Sequence, residues 1–426
     1  MATGWQTTTL GELINVKHGY AFKSEFFAAE GEGVVLTPGN FPIGGGLRLR
    51  PGKDRYYTGP YPAEFELTPG DLLIVMTDLT QNAPILGSPA FVPSLPIMLH
   101  NQRLGLVTRK PNVDLDIRFL YYLLLSDASR SQLRATATGT TVRHTAPERI
   151  YRVVVEIPPV PVQKRIGSFL GAMDDLIENN RTRISTLEQA LQLTYREWFL
   201  HFRFPGHEQT SLVETDGVVA PDGWRTAAAS SLLTINPRIK LDRRRPHSFI
   251  AMADLEERTM LCAPSQLRTT GSGSKFGNGD TLFARITPCL QNGKTGFVQS
   301  LPEGEIGLGS TEFIVLRGRT VGPAYTYCLA RSEAFRRHAI ASMSGASGRQ
   351  RVRSECFDTY MLAEPPPEIA GRFEDFAEPL FRTIRTLAEE SKQLMALRDL
   401  LLPRLLTGQV DIPALRSDGL GDIDGR

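Results

Sequence analysis

The sequence predicts an α+β protein made of two similar globular domains, joined by two long helices that pair as an antiparallel coiled coil. Three observations predict this pseudo-twofold tandem repeat. A set of short landmarks occurs twice in the same order, short β-type runs lie between Gly- and Pro-rich turns, and each half ends in a heptad pattern. The chain has 426 residues. Because single hydrophobic cores stop growing near ~250–300 residues, two or three domains are expected.

The landmarks pair the first half of the chain with the second half. The pairs are Gly4–Thr7 with Gly223–Thr226, Pro69–Leu73 with Asn278–Leu282, Phe119–Leu123 with Ala324–Leu329, Gly139–Arg143 with Gly345–Arg349, and Ile157–Pro159 with Glu364–Pro367. Gly4 and Gly223 lie 219 positions apart, whereas Gly139 and Gly345 lie 206 positions apart. The loops therefore differ in length while the order of the landmarks is kept, which indicates a duplicated fold.

Within each half, the pattern predicts a group of strands followed by a helix. Strands are predicted at Leu72–Thr77, Arg103–Thr108, Val153–Ile157, Thr281–Ile286 and Glu312–Leu316, and helices at Ile117–Ala135 and Pro323–Ala341. Because strands and helices do not alternate regularly, the pattern favours an α+β fold over repeated βαβ units. We expect globular domains at 1–158 and 205–365, long helices at 159–204 and 366–409, and a tail at 410–426.

A seam of apolar residues recurs at steps of 3 or 4 in each long helix, as in a coiled coil. The seam residues are Ile166, Leu170, Met173, Ile177, Ile184, Leu187 and Leu191, continued through Thr194 to Trp198, in the first helix, and Phe373, Ala377, Leu380, Ile384, Leu387, Leu394 and Leu401 in the second, where the polar Ser391 and Arg398 occupy the intervening seam positions. Asn180 occupies a seam position, where a polar residue typically fixes the register. We expect the two seams to pair antiparallel; the alternative is that each helix packs on its own domain.

The composition excludes several classes of protein. The formal net charge is +2, from 48 basic and 46 acidic residues, which excludes a histone-like polycation but permits local basic patches. The four cysteines form no CxxC pair, which argues against a disulfide framework and fits a reducing cytoplasm. No apolar run approaches the ~18–20 residues that span a bilayer, and the first ten residues lack the features of a secretory signal.

Signatures of catalysis are incomplete in this sequence. Gly293-Lys294-Thr295 matches the end of a phosphate-binding P-loop, but Pro288 stands where the first glycine of that motif belongs. The seven histidines show neither HExxH nor paired-ligand spacing. We therefore expect a chain without catalytic residues, metal or cofactor of its own.

Basic and amide side chains in the turns are candidates for contacting DNA, because Lys and Arg bind phosphates while Asn, Gln and Arg read base edges. The candidates are Arg48, Arg50, Lys53, Arg55, Gln81, Asn82, Asn101, Gln102, Arg103, Thr141 and Arg143 in the first half, and Lys275, Arg285, Gln291, Asn292, Lys294, Arg349, Gln350 and Arg351 in the second. The loops at 141–143 and 349–351 are favoured, because the repeat places basic residues in both. The competing interpretation is that these are ordinary solvated loops. A pseudo-twofold protein is suited to two DNA half-sites at a fixed separation.

Several of these segments resemble a known family. They are Phe119–Leu123, Gly139-Thr140, the run Ile157-Pro158-Pro159-Val160-Pro161-Val162-Gln163-Lys164-Arg165-Ile166, and the segments Trp5–Leu13 and Trp224–Leu233. Together they resemble the specificity (S) subunit of type I restriction–modification systems, over essentially 4–408. The second half reads Pro365–Phe373 at the start of its long helix and lacks the Gln-Lys-Arg triplet.

The resemblance implies a non-catalytic subunit with target-recognition domains at 1–158 and 205–365 and spacer helices between them. It implies binding of double-stranded DNA at a bipartite site, and docking of two methyltransferase subunits that methylate adenine. Added restriction (translocase) subunits would make the complex an ATP-dependent endonuclease used in phage defence. S-adenosylmethionine, ATP and Mg²⁺ would then belong to partner subunits. The alternatives are a coiled-coil interaction scaffold without sequence-specific DNA binding, and a catalytic nuclease or fused methyltransferase.

Overall fold

The computed structural model describes residues 4–50, 52–215, 217–242, 244–269, 272–345 and 350–410. These residues form two compact units. Unit 1 comprises the described residues up to Leu176 together with those from Leu394 onward, and unit 2 comprises those within Ile177–Gln393. The predicted tail at 410–426 lies outside the described residues except for Val410, and so does the candidate Arg349.

The globular part of unit 1 contains short strands and helices. Its strands are β1 (Gln6–Thr9), β2 (Ile14–His18), β3 (Phe27–Ala28), β4 (Gly33–Val35), β5 (Arg55–Tyr57), β6 (Glu66–Leu67), β7 (Leu72–Val75), β8 (Thr77–Asp78), β9 (Pro89–Phe91), β10 (Ile97–Leu99), β11 (Leu104–Arg109), β12 (Arg143–His144) and β13 (Val154–Ile157). Its helices are α1 (Leu10–Leu13), α2 (Ile117–Leu125), α3 (Asp127–Thr136) and α4 (Pro147–Tyr151). The long helix α5 (Val160–Phe199) begins in unit 1 and ends in unit 2.

Unit 2 repeats this plan after an added hairpin. Its strands are β14 (Leu212–Thr215), β15 (Val218–Pro221), β16 (Arg225–Ala228), β17 (Leu233–Ile235), β18 (His247–Ile250), β19 (Gln266–Arg268), β20 (Ser274–Phe276), β21 (Thr281–Ala284), β22 (Thr295–Phe297), β23 (Gly307–Gly309), β24 (Phe313–Gly318) and β25 (Met361–Glu364). Its helices are α6 (Ala229–Leu232), α7 (Pro323–Arg331) and α8 (Glu333–Ala341). The second long helix, α9 (Pro367–Leu406), begins in unit 2 and ends in unit 1.

The sheets of the two units have corresponding strand orders, except that the second sheet of unit 1 has one additional edge strand, β3. An antiparallel sheet runs β2–β11–β7–β9 in unit 1 and β17–β24–β21–β22 in unit 2. A second sheet runs β3–β5–β4–β10–β6 in unit 1 and β19–β18–β23–β20 in unit 2. Both of these second sheets contain a parallel pair, β4 with β10 and β18 with β23. The tandem α+β repeat that the landmarks predicted is therefore confirmed.

A Gly-Asp turn before β7 and β21 shows why a landmark can survive in both halves. Gly70 and Gly279 have φ of +89° and +90°, a left-handed conformation that strongly favours glycine. The following aspartates, Asp71 and Asp280, each accept a hydrogen bond of 2.8 Å from the backbone N–H three residues earlier. The turn therefore needs glycine for its backbone and aspartate for its closing bond, and both halves keep the pair.

The helix predicted in each half at 117–135 and 323–341 is in fact two helices. Ser126 separates α2 from α3 with ψ of 145°, and Ser332 separates α7 from α8 with ψ of 142°, both outside the helical range. Each serine side chain accepts a hydrogen bond from the backbone N–H three residues later. The prediction of one helix was wrong because a serine N-cap starts a new helix at the same place in both units.

The long helices pair antiparallel within each unit. In unit 1, Ile166 and Leu170 of α5 share a buried core with Leu402 and Leu405 of α9, and Asp174 accepts a 2.6 Å bond from Arg398. In unit 2, α5 residues from Ile184 to Phe199 share a core with α9 residues from Phe373 to Leu387. Later residues of α5 thus meet earlier residues of α9, as predicted.

In unit 2, a long helix also packs on the globular part of its own unit, which was the alternative to pairing of the two helices. Both kinds of packing therefore occur together. Phe199 contacts Tyr325 and Trp224 of the globular part of unit 2, with ring centroids 4.8 Å and 6.3 Å apart. The seam consequently departs from a regular heptad at the end of α5, where Tyr195 and Phe199 are buried and Thr194 and Trp198 are only half-buried. A straight helix drifts relative to a heptad repeat, and the globular core fixes which residues turn inward.

The predicted seam otherwise divides into buried and half-buried residues. Buried are Ile166, Leu170, Met173, Ile177, Ile184, Leu191, Phe373, Ile384 and Leu387, and half-buried are Leu187, Leu380, Leu394 and Leu401. Phe381, Leu402 and Leu405 are buried in α9 although the heptad did not select them. Asn180 is buried as the polar seam residue and donates a 3.0 Å bond to Glu390 within unit 2.

None of the helices in the described part of the chain combines the length and the apolar character that crossing a bilayer requires.

Candidate nucleic-acid interface

One end of the antiparallel sheet in unit 1 gathers three of the predicted loops. At the end of β7, the Met76 N–H donates to the Arg103 carbonyl and the Met76 carbonyl accepts from the Thr145 N–H, each at 2.9 Å. Strand β8 then pairs with β12. We call the residues 77–82, 101–103 and 141–144 that meet here the rim of unit 1. The rim brings together the candidates Gln81, Asn82, Asn101, Gln102, Arg103, Thr141 and Arg143.

A buried carboxylate shapes the first loop of this rim. Asp78 accepts 2.8 Å hydrogen bonds from the N–H and hydroxyl of Thr80 on one oxygen, and from the Ile85 N–H on the other. These bonds hold the turn so that Gln81 and Asn82 are exposed at its tip. The turn therefore presents two amide side chains on a fixed backbone, which is the geometry that base reading needs.

The second loop adds an exposed amide and an exposed guanidinium. Gln102 and Arg103 both face solvent. Asn101 is half-buried, and its Oδ1 accepts a 2.9 Å bond from the Arg103 N–H. Asn101 thus closes the turn, while Gln102 and Arg103 are placed to contact a ligand.

The third loop contains the predicted contact residues Thr141 and Arg143. The guanidinium of Arg143 donates to the carbonyls of Gly139 and Arg134 at 3.2 and 3.1 Å, so this half-buried arginine holds its own loop. Thr141 is exposed nearby. His144 joins the loop to β8 through a 3.0 Å hydrogen bond between its Nδ1 and the Thr77 hydroxyl.

The basic loop at 48–55 belongs to the second sheet of unit 1 and not to the rim. Arg50 lies 3.8 Å from the carboxylate of Asp54 and donates to the Thr37 hydroxyl at 3.4 Å, so it stabilises the loop instead of projecting from it. Arg55 lies over the ring of Phe27, 5.5 Å from its centroid. Arg48 and Lys53 are exposed.

The equivalent end of the sheet in unit 2 is built from 285–287, 310–312 and 350–352, the rim of unit 2. The Arg285 N–H donates to the Glu312 carbonyl at 3.0 Å, and the Arg285 carbonyl accepts from the Val352 N–H at 2.9 Å. Gln350 joins this rim by accepting from the Thr287 N–H on its carbonyl at 3.2 Å. The same strand ends therefore form the rim in both units.

Arg351 forms an ion pair with Glu312 within this rim. Its guanidinium donates to both carboxylate oxygens of Glu312 at distances of 2.6 to 3.0 Å, and these bonds lower the pKa of Glu312. The sequence predicts Arg351 as a DNA contact. A phosphate would have to compete with a bidentate carboxylate for this guanidinium.

Two further candidates in unit 2 also bond to their own unit. Asn292 donates to the Glu257 carboxylate at 2.9 Å, and the half-buried Lys294 donates to the Met252 carbonyl at 2.9 Å. Both side chains secure the loop between β21 and β22. Gln291, in the same loop, is exposed.

A cleft of about 530 Å³ opens beside the rim of unit 2. Four basic residues line it: Arg238, Lys240, Lys275 and Arg285. Every charged residue among its described lining residues is basic. Sequence reasoning found Lys275 and Arg285 but missed Arg238 and Lys240, which alternate in Arg-Ile-Lys soon after β17. We call this set of four the basic cleft.

Comparisons with known proteins show similarities of sequence and of fold. A sequence profile described as "Type I restriction modification DNA specificity domain" matches residues 2–189. The Escherichia coli protein named "Type I restriction enzyme EcoEI specificity subunit" is 27% identical over 45% of this chain and 33% of its own length. The Methanocaldococcus jannaschii protein named "Type I restriction enzyme MjaIX specificity subunit" is 22% identical over 70% of each chain. Over residues 2–189 the chain is thus similar to the specificity domain of type I restriction–modification systems.

A solved structure extends the likeness of fold to nearly the whole chain. The type I restriction–modification S subunit from M. genitalium superposes with a TM-score of 0.58 at 12% identity, covering 95% of this chain and 97% of that one. At this identity the likeness concerns the fold. The match to the E. coli relative spans only about a third of that relative's length, whereas the archaeal match spans 70%.

Proposed function

We infer that this chain is the DNA-sequence-specificity subunit of a type I restriction–modification complex and that each unit reads one half of a bipartite DNA site. The observation that carries the proposal is the repeated rim: the same strand ends in both units present loops to solvent. In unit 1 these loops carry exposed amide and guanidinium groups, and in unit 2 they adjoin the basic cleft. Such groups supply base readout and phosphate contacts.

Partner subunits supply the chemistry in this proposal. Two methyltransferase subunits would bind S-adenosylmethionine and modify adenine, and restriction subunits would use ATP and Mg²⁺. The names of the E. coli and archaeal relatives support this arrangement, since both are specificity subunits of restriction enzymes. The chain itself acts by binding and positioning.

The proposal is tested by copurifying the chain with its methyltransferase and selecting bound duplexes from a random pool at physiological salt. The expected result is a consensus of two short sequences separated by unspecified base pairs. Exchanging residues 1–158 for those of a relative should change one half of that consensus and leave the other. Selection of duplexes without any common sequence would contradict the proposal.

A second measurement separates this function from a catalytic one. The purified chain alone is incubated with DNA and S-adenosylmethionine, or with DNA, Mg²⁺ and ATP. We expect neither methylation nor cleavage from the chain alone, and methylation once the methyltransferase is added. Turnover by the chain without partners would assign the chemistry to this polypeptide instead.

A further inference from the structure

We propose that the basic cleft of unit 2 is a phosphate-binding subsite that seats the DNA backbone and adds affinity without choosing sequence. Among the described residues of unit 1, the four corresponding positions hold no basic residue. The inference rests on the proposed function and deepens it, because it assigns a larger share of the affinity for the DNA backbone to unit 2 than to unit 1.

The first argument is the shape of the cleft and its walls. Four segments form it: the stretch from Asn236 to Lys240 after β17, the start of β20, Arg285 just after β21, and the start of β24. Lys275 on β20 donates a 3.3 Å hydrogen bond to the Ile239 carbonyl, so two of these segments are tied together. Buried Phe313 lines the floor. An apolar floor lowers the local dielectric constant and strengthens attraction to an anion.

The second argument is a set of unsatisfied polar atoms. The Nε of Arg285 is buried and has no hydrogen-bond partner among the described residues, and the same holds for the hydroxyl of Thr287. Buried polar atoms without partners are costly, and each one needs an explanation. Because its Nε is closed to solvent, Arg285 would bind a phosphate in the cleft through its terminal Nη groups, and a guanidinium suits bidentate binding of phosphate.

The third argument is charge. Arg238 and Lys240 are exposed, while Lys275 and Arg285 are half-buried. The two exposed side chains can extend towards a ligand, and the two half-buried ones are held in place by their surroundings. The acidic neighbour, Glu312, is already bound by Arg351 through both carboxylate oxygens. Glu312 also interacts electrostatically with Arg285, so that charge is partly compensated, whereas the described lining of the cleft places no acidic residue beside Arg238, Lys240 and Lys275. Phosphate is the anion that DNA presents.

The fourth argument is the contrast with unit 1. Counted from the Gly-Asp turn, Glu66 stands at the position of Lys275 and Met76 at that of Arg285. The pairing of β2 and β17 with their neighbours places Gly19 and Ala21 at the positions of Arg238 and Lys240. None of these four positions in unit 1 is basic.

Aromatic side chains occupy the corresponding region of unit 1 instead. Tyr20 and Phe65 lie there with ring centroids 5.3 Å apart, and Lys17 lies 4.8 Å from the ring centroid of Phe65. The fold is shared, but this surface of unit 1 is not built for a phosphate.

The test compares two double variants of the chain, each in complex with its methyltransferase. The variant Lys275→Gln/Arg285→Gln removes two charges from the cleft. The control Arg244→Gln/Arg337→Gln removes two exposed charges of unit 2 that do not line it. DNA affinity is measured as a function of salt concentration, and the consensus is selected again.

We expect the cleft variant to bind more weakly and with a salt slope shallower by about two, because each lost phosphate contact lowers the slope by about one. The consensus should be unchanged, and the control should match the native chain. Arg285→Lys should keep the slope and lose part of the affinity, since lysine keeps the charge but not the bidentate geometry.

Two outcomes would overturn the subsite and leave the proposed function standing. One is a native consensus together with an unchanged slope in the cleft variant. The other is a changed consensus in one half-site, which would mean that the cleft reads bases. A native chain that selects no consensus would instead remove the proposed function. Melting temperatures of all variants show whether they are folded.

Discussion

The starts of α2 and α7 show how the two units meet one physical requirement with different residues. In unit 1, Asp116 caps α2 and accepts a 2.8 Å bond from the Phe119 N–H. In unit 2, the cap position holds Gly322, and a carboxylate from the long helix, Glu374, accepts from the N–H groups of Ala324 and Tyr325 at 3.0 and 2.9 Å. Both helices thus begin against a carboxylate, which helix N-termini favour.

The space available explains why the carboxylate comes from a different element in each unit. Gly167 of α5 stands where α9 has Glu374, and a Cβ there would lie 2.6 Å from Asp116 Oδ1. A Cβ on Gly322 would collide with the side chain of Glu374. Each unit therefore combines a glycine with an acidic residue, in opposite order. The lesson is that the repeat preserves an interaction and not a residue, which is why the sequence repeat is faint.

Among the variants that test the equivalence of the two caps, Gly322→Asp should have the largest effect on the free energy of unfolding. It places a second carboxylate against Glu374, whose pKa burial already raises, so clash and like-charge repulsion add. We expect the free energy of unfolding to fall by about 3 kcal/mol or more. Urea unfolding followed by tryptophan fluorescence measures it.

The matched control is the double variant Gly322→Asp/Glu374→Gly, which transplants the unit 1 arrangement into unit 2. It should recover most of the lost free energy, because the pair then repeats Asp116 and Gly167. If the double variant were no more stable than the single one, the equivalence of the two caps would be wrong.

A second comparison concerns the crossing of the long helices. In unit 1, Arg398 is 14% exposed and pairs with Asp174, which also accepts a 2.6 Å bond from the Tyr122 hydroxyl. The equivalent positions in unit 2 hold Leu191 and Phe381, both buried. One unit thus uses an ion pair where the other uses apolar packing.

Asp174→Ala should lower the free energy of unfolding by about 2 kcal/mol, since it leaves a largely buried guanidinium without that partner. Asp174→Phe/Arg398→Leu copies the apolar pair of unit 2 and should cost less than the single change, because well-packed apolar residues can replace a buried ion pair. Equal losses in the two variants would show that packing at this crossing does not follow the repeat.

A smaller effect on the free energy of unfolding, which depends on pH, is expected from His100 in unit 1. Burial of His100 lowers its pKa to about 4. Its Nε2 donates to the Leu104 carbonyl at 2.9 Å, and its buried Nδ1 has no partner among the described residues. The folded state therefore holds the neutral imidazole, while the unfolded chain binds a proton below about pH 6.5.

The contribution of neutral His100 to the free energy of unfolding is fully present above about pH 6.5 and is lost progressively as the pH falls towards 4. At pH 5 the loss amounts to about 2 kcal/mol relative to neutral pH. His100→Gln provides the comparison, because glutamine keeps a donor and does not titrate. The difference in unfolding free energy between the native chain and this variant should change between pH 7.5 and 5; a constant difference would contradict the assignment.

The repeat and the long helices could be predicted from the sequence because backbone geometry demands particular residues. The Gly-Asp turn needs a left-handed glycine, and a helix seam needs regular apolar spacing. The serine breaks also left a signal, since Ser126 and Ser332 are each followed by an acidic residue, as at helix starts. That signal was outweighed by the apolar run that precedes each break.

Whether a charged side chain bonds within its own unit or can contact a ligand could not be predicted, because this depends on acceptors that lie far away in the sequence. Glu312 and Arg351 are 39 positions apart, and Lys294 and Met252 are 42 apart. The four residues of the basic cleft come from three separated segments, and only two of the four stood out by composition. Exposed tips such as Gln81 and Asn82 were predictable, because turn residues at strand ends face solvent.

The division of the two long helices has a consequence for how the polypeptide is made. Unit 2 lies within one continuous stretch, whereas the core of unit 1 includes Leu402, Leu405 and Leu406 from the end of α9. On the ribosome, the core of unit 1 therefore remains incomplete until residues 402–406 have been translated. The domain synthesised first is thus the one completed last.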